Sequence, residues 1–151
     1  MKCEKGISLI SLTIYVIVML ITVAIVTVVT GYFYNNIQTY TAKTDSISEY
    51  TKFNSYFTEE INTENNKVLE YKPRKDEKGN IVNEQEYIVF STNNQYTYIP
   101  ENKSIYKNYV KIASGVEECT FTHLIKNGKD AVEVKLKFSE LDKTVTYVIK
   151  N

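Results

Sequence analysis

The stretch ISLISLTIYVIVMLITVAIVTVVT, Ile7 to Thr30, runs for 24 residues without one charged side chain. As an α-helix rising about 1.5 Å per residue it reaches about 36 Å, enough to cross a hydrocarbon core of about 30 Å. Its Val, Ile and Thr content favours a strand in water. In lipid a lone strand leaves its backbone groups unpaired, so a helix is expected. The polar members, Ser8, Ser11, Thr13, Tyr15, Thr22, Thr27 and Thr30, are tolerable there because hydroxyls can bond back to their own helix.

All charge lies outside this bar. The 151-residue chain carries 18 basic and 18 acidic side chains. A zero net charge argues against a nucleic-acid coat or an acidic tail protein, which need a strong bias of one sign. Lys2, Glu4 and Lys5 precede the bar, leaving 16 basic and 17 acidic groups after it. The short basic end is expected to stay in the cytoplasm, with the body after Gly31 outside. A secretory signal peptide fits poorly, since its apolar core spans roughly 7–15 residues before a small-x-small site. Val28-Val29-Thr30-Gly31-Tyr32 is not such a site, and Cys3 precedes the bar where a lipoprotein would need a Cys after it. A plain signal anchor remains an alternative.

The edge of the bar reads Lys5-Gly6-Ile7-Ser8-Leu9-Ile10-Ser11-Leu12. It resembles the class III leader of type IV prepilins and pseudopilins, a short basic leader ending in Gly before a Phe-Thr-Leu-Ile-Glu-Leu type sequence. The resemblance implies a leader of residues 1–6, cut after Gly6 by prepilin peptidase, with Ile7 methylated as the first mature residue. Leu9, Ile10 and Leu12 match the family's apolar positions, where helices pack in a filament. The family's Glu at the fifth mature position is Ser11 here. That carboxylate is thought to meet a neighbour's N-terminal ammonium and so set register, because a buried charge without a partner is costly. Its loss, associated with tip subunits among pseudopilins, implies a minor rather than a major subunit.

After Gly31 a stripe at spacings of three and four includes Ile37, Tyr40, Thr44, Ile47, Thr51, Asn54, Phe57 and Ile61, widened by Tyr50 and Phe53. This is an amphipathic pattern. No Pro lies between Gly6 and Lys72, so one helix is predicted to about Glu60, bent at most at Gly31. A loop follows at Asn62–Asn66. The period then changes to two, predicting strands at Val68–Tyr71, Glu86–Ser91, Gln95–Ile99, Ser104–Tyr109, Val116–Ile125, Asp130–Phe138 and Thr144–Ile149. Turns are expected at Pro73–Asn80, Asn93-Asn94, Pro100–Lys103 and Asn127-Gly128, the last being the strongest hairpin signal. The expected fold class is α+β: a long N-terminal helix, half transmembrane (7–30) and half amphipathic (31–62), packed on an antiparallel sheet (63–151), pilin-like.

Ile105-Tyr106-Lys107, Gly115-Val116-Glu117-Glu118-Cys119-Thr120-Phe121, and Asn127-Gly128 before Val132–Leu136 are similar to strands of the J-type minor pseudopilins of type II secretion and Gram-positive competence systems. The resemblance implies a single-pass protein of the cytoplasmic membrane that enters a filament as an initiating or capping subunit. Its implied partners are sibling pilin or pseudopilin subunits, prepilin peptidase, membrane lipid and the membrane platform of the assembly machine, driven by a cytoplasmic ATPase.

Enzymatic motifs are not apparent: the chain has no Gly-rich phosphate loop, HExxH or Gly-x-Ser-x-Gly. Neither a cofactor nor a metal is expected. His123 is the sole histidine, read as structural because a metal or catalytic site needs partners at defined spacing. Cys119, the one Cys outside the leader, is read as a small buried hydrophobe. Glu59-Glu60 and Glu117-Glu118 are read as solvated surface, and the acidic turn Asp76-Glu77 holds no complete Ca²⁺ ligand set. Thirteen tyrosines accompany six phenylalanines and no tryptophan. Tyr96, Tyr98, Tyr106 and Tyr109, near Lys103, Lys107 and Lys111, are candidates for a stacking platform for single-stranded DNA. That would make the chain a signal-anchored extracellular module binding DNA or a surface polymer, although Tyr is also a good strand former and zero net charge supplies no field to steer DNA.

Overall fold

A computed structural model describes residues 3–150, with side chains from 9 to 150. One helix, α1, runs from Cys3 to Ile61, and eight strands follow. The chain divides into two compact units, residues 1–40 and 41–151.

In the first unit the described residues form a single helix that continues through Gly31, where a Cβ would meet nothing within 4 Å. Large apolar side chains are exposed all around it, including Leu9, Val16, Leu20, Ile25, Val28, Phe33 and Ile37. The hydroxyls of Thr13, Thr22 and Thr27 each donate to the carbonyl four residues back, at 2.8–2.9 Å. This segment is long and apolar enough to span a membrane once.

The second unit is α+β. It holds the last turns of α1 and two antiparallel sheets. The first sheet orders β1 (Val68–Lys72), β2 (Glu86–Phe90), β3 (Gln95–Ile99), β4 (Ser104–Lys107) and β5 (Val110–Ser114) as a meander; the second orders β6 (Val116–Lys126), β7 (Lys129–Phe138) and β8 (Leu141–Val148) likewise. The expected single sheet is thus two. The chain changes sheet at Gly115, whose φ of +70° is a conformation glycine adopts without steric cost. Strand β5 is an addition to the expected set. Its predecessor β4 stops at Lys107, and Asn108 and Tyr109, both at positive φ, form a two-residue turn. Asn127-Gly128 is also a turn with both residues at positive φ, as its sequence predicts.

The core gathers on Phe57. Its ring stacks on Phe53 at 5.1 Å and Phe121 at 6.1 Å, and meets Phe90, Tyr96 and Tyr147 edge-on at 4.9–5.8 Å. One helical side chain therefore bridges both sheets, with aromatic geometries that add to area burial. The buried helical line is Ser46, Phe53, Phe57, Glu60 and Ile61, with Tyr50 partly covered. The expected stripe had its centre displaced: Thr44, Ile47 and Thr51 are exposed, and Tyr50 and Phe53, read as its margin, lie at its middle. Phe53, Phe57 and Ile61 repeat every four residues, and the largest apolar groups decide which face goes inward.

Candidate functional site

Two features of this chain could engage another molecule: the apolar helix and the outer surface of the body. In the helix, Leu9, Ile10 and Leu12 are exposed and Ser11 is half-covered. Gly6 and Ile7 fall outside the residues whose side chains are described. Ser11 supplies a hydroxyl where a carboxylate would impose a charge. A stretch of apolar side chains this long and this exposed must be covered by lipid or by other helices.

In the body, the four candidate tyrosines separate by strand parity. Side chains alternate between faces with a period of two. Tyr96 and Tyr98 therefore share the inner face of β3 and are buried, and the opposite residues Lys107 and Ile105 point the same way. The Tyr96 hydroxyl donates to the Tyr56 carbonyl at 3.0 Å, and the Tyr98 hydroxyl to those of Val116 and Glu117 at 3.1 and 2.8 Å. Burial pushes the Tyr98 phenol up to about 12. These two rings bind the fold together and have no free face on which a base could stack.

Lys107 is likewise committed inward. Its ammonium lies 3.7 Å from Glu60 Oε2 and over the rings of Tyr56 and Tyr96 at 5.8 and 5.6 Å. Glu60 is only 2% exposed, not solvated as expected. It follows Phe57 by three positions, on the same helical face. Its carboxylate accepts from Thr92 Oγ1, from Asn94 Nδ2 at 2.7 Å and from Asn66 Nδ2 at 2.9 Å. Asn66 also donates to the Glu60 carbonyl at 2.8 Å. A buried carboxylate with this many donors is satisfied, and it fastens the end of α1 to the β2–β3 turn.

Glu86 is the second buried acid that the sequence reading missed. The alternation Glu86, Ile88, Phe90 places it on the inner face. It accepts the Phe121 N–H, and the Arg74 N–H at 3.3 Å, so it links the two sheets. Burial pushes its carboxyl above the ordinary value. Arg74 Nε, close by, is buried without a hydrogen-bond partner. Cys119 is buried and its thiol is pushed well up by desolvation, the reverse of a reactive thiolate. His123 Nε2 lies 3.1 Å from Asp130 Oδ1 across β6–β7. Glu117 is exposed, while Glu118 sits 3.6 Å from Lys75. The Asp76 carboxylate is occupied by its own turn, accepting the N–H groups of Lys78 and Asn80 at 2.9 and 2.8 Å and Asn80 Nδ2 at 2.9 Å. Among the described residues no group of three His, Cys, Asp or Glu side chains is placed to hold a metal.

Tyr106 and Tyr109 are on the other side. With Gln85, Asn93, Gln95 and Asn102 they line a groove of about 680 Å³ on the outer face of β3 and β4. Tyr109 is 97% exposed and holds φ at +71°. For a bulky residue this is a strained conformation, costing about 1–2 kcal/mol. No turn signal in the sequence marks it: Asn-Tyr is not a usual two-residue turn, and the expected strand runs through Tyr109. Compared with protein-family models, curated proteins and solved structures, the chain finds no match.

Proposed function

We propose that this chain is a minor pilin-like subunit, cut after Gly6 by prepilin peptidase, that initiates or caps a type IV pilus-like filament by packing its apolar helix against those of sibling subunits. The observation that carries the reading is the sequence Lys5-Gly6-Ile7-Ser8-Leu9-Ile10-Ser11-Leu12 at the head of an uninterrupted helix, Cys3–Ile61. An α+β body with a covered final helical stretch is compatible with it. The role is structural rather than enzymatic. The helix offers apolar surface and self-satisfied hydroxyls, which suit lateral packing in lipid and then in a filament. Ser11 removes one charged register contact, which favours an end position over a repeating one. The helix would anchor the chain in the cytoplasmic membrane, with the body outside.

The test is the mature N-terminus, measured by mass spectrometry on protein from membranes with and without active prepilin peptidase. A chain beginning at Ile7, methylated or not, only when the peptidase is active is the expected result. A chain still beginning at Met1 beside confirmed peptidase activity would overturn it and leave a signal-anchored outer module.

A further inference from the structure

We infer that the groove on the outer face of β3 and β4 is a binding site for a neutral oligosaccharide, with Tyr109 as its stacking ring. This goes beyond the filament role and does not depend on it, since every residue concerned lies in the body.

The lining defines the ligand chemistry. None of the described residues lining the groove is charged, although charged residues make up 24% of the chain. A polyanion such as DNA needs cations along its backbone path; Lys107 is turned inward to Glu60, and Lys111, opposite Tyr106 on β5, is not part of the lining. Instead five side-chain amides converge: Gln85, Asn93, Gln95, Asn102 and Asn108. Each amide offers both donors and an acceptor, which matches sugar hydroxyls that also do both. Some of this capacity is spent on fixing the site. Asn108 Oδ1 accepts the Gln95 N–H at 2.8 Å, Gln95 Nε2 donates to Thr97 Oγ1 at 3.0 Å, and Asn102 Nδ2 donates to the Tyr106 hydroxyl at 3.4 Å. Gln85 and Asn93 have no side-chain partner among the described residues and remain available to a ligand. A groove with a few convergent polar groups beside aromatic rings is the usual form of a small-molecule site.

The backbone at Tyr109 supplies an independent argument. Among the described residues a two-residue turn with both φ values positive occurs twice, and the pair is Asn-Gly at 127–128 but Asn-Tyr at 108–109. Glycine removes the strain at the first. At the second a large ring is kept in the strained position with almost none of its surface buried, so packing within the body does not explain it. Strain held without internal reward points to a contact made with something else. A rigid, amphipathic ring at the groove's edge can cover the apolar face of a sugar while the amides take its hydroxyls.

The experiment is isothermal titration of the full chain in phospholipid nanodiscs, which avoids sugar-headed detergents, with cellohexaose and chitohexaose as probes. Saturable binding of at least one, unchanged between low and high salt, is expected. Tyr109→Gly keeps the turn and removes the ring, and should weaken binding tenfold or more. Gln85→Ala should weaken it severalfold. Two results would overturn the inference: neither sugar binds, or Tyr109→Gly binds as well as the parent. Preferential, salt-sensitive binding of an oligothymidine would also overturn it, and would assign the groove to nucleic acid.

Discussion

Residues 9–40 and residues 41–61 belong to one helix and obey opposite rules of burial. The first stretch exposes large apolar side chains on every side, and the hydroxyls of Thr13, Thr22 and Thr27 are accommodated by bonding to carbonyls of its own backbone. The second buries one face, and there even a carboxylate is accepted, because Glu60 meets Thr92, Asn94, Asn66 and Lys107. A helix apolar on every side needs lipid or other helices around it and satisfies its hydroxyls locally, while one with a covered face can hold charge there if its partners are built elsewhere in the chain.

The contrast breaks most sharply at Phe57. Phe57→Ala removes the ring that bridges both sheets and should destabilise the body by about 3–5 kcal/mol. Ile25→Ala, an equally apolar truncation in the exposed stretch, should leave the body's unfolding within about 0.5 kcal/mol of the parent. Urea unfolding of the full chain in nanodiscs, followed by near-ultraviolet circular dichroism, compares the two. Equal effects would mean that the stretches do not differ as described. Glu60→Ala comes next. It leaves Lys107 and the donors Thr92, Asn94 and Asn66, of which Asn66 is buried, without their carboxylate acceptor, at a cost of about 3 kcal/mol, the low end for breaking a buried pair because Lys107 keeps some exposure. Glu60→Gln, which retains a carbonyl acceptor, should cost less by the same assay.

Glu86 sharpens the comparison through pH. Because burial raises its folded-state value above the ordinary 4.5, the folded chain holds that proton more tightly than the unfolded chain. Its contribution is fully present below pH 4.5 and is lost as pH rises through the raised value. Glu86→Gln should remove this decline, so the variant's stability gains on the parent's as pH rises from 4 to 7. An unchanged difference between the two profiles would show that Glu86 ionises as freely folded as unfolded. The smallest expected effect is at Tyr109. Tyr109→Gly relieves the left-handed strain but frees the unfolded chain, for a net gain of about 0.5 kcal/mol. A loss instead would mean that the ring contributes to the body's own packing.

Much of this architecture was legible because it depends on local properties. An uncharged run of 24 residues is long enough to span a membrane as a helix, and Asn127-Gly128 is a strong signal for a tight turn. The strands β2, β3, β6 and β7 followed from alternation and turn residues. What stayed hidden depends on which face a side chain takes. Tyr96, Tyr98, Tyr106 and Lys107 form one cluster in sequence, yet parity sends three of them into the core and leaves Tyr106 alone outside. Glu60 and Glu86 look like ordinary surface acids until Asn66, Asn94 and the Phe121 N–H are seen beside them.

The sequence by itself determined a membrane-length apolar helix, its continuation toward Ile61 and an antiparallel β body. Each is a matter of composition, periodicity or short-range turn chemistry, carried within a few neighbouring residues. Only the tertiary structure decided that the strands divide into two sheets at Gly115, that Phe57 is their common centre, and that two acids are buried. It also placed five amides and Tyr109 around one groove. The reason is that these features arise from groups tens of residues apart in the chain, such as Glu60 with Asn94 and Glu86 with Phe121. Their energies exist only once the fold has brought the partners together and excluded water between them.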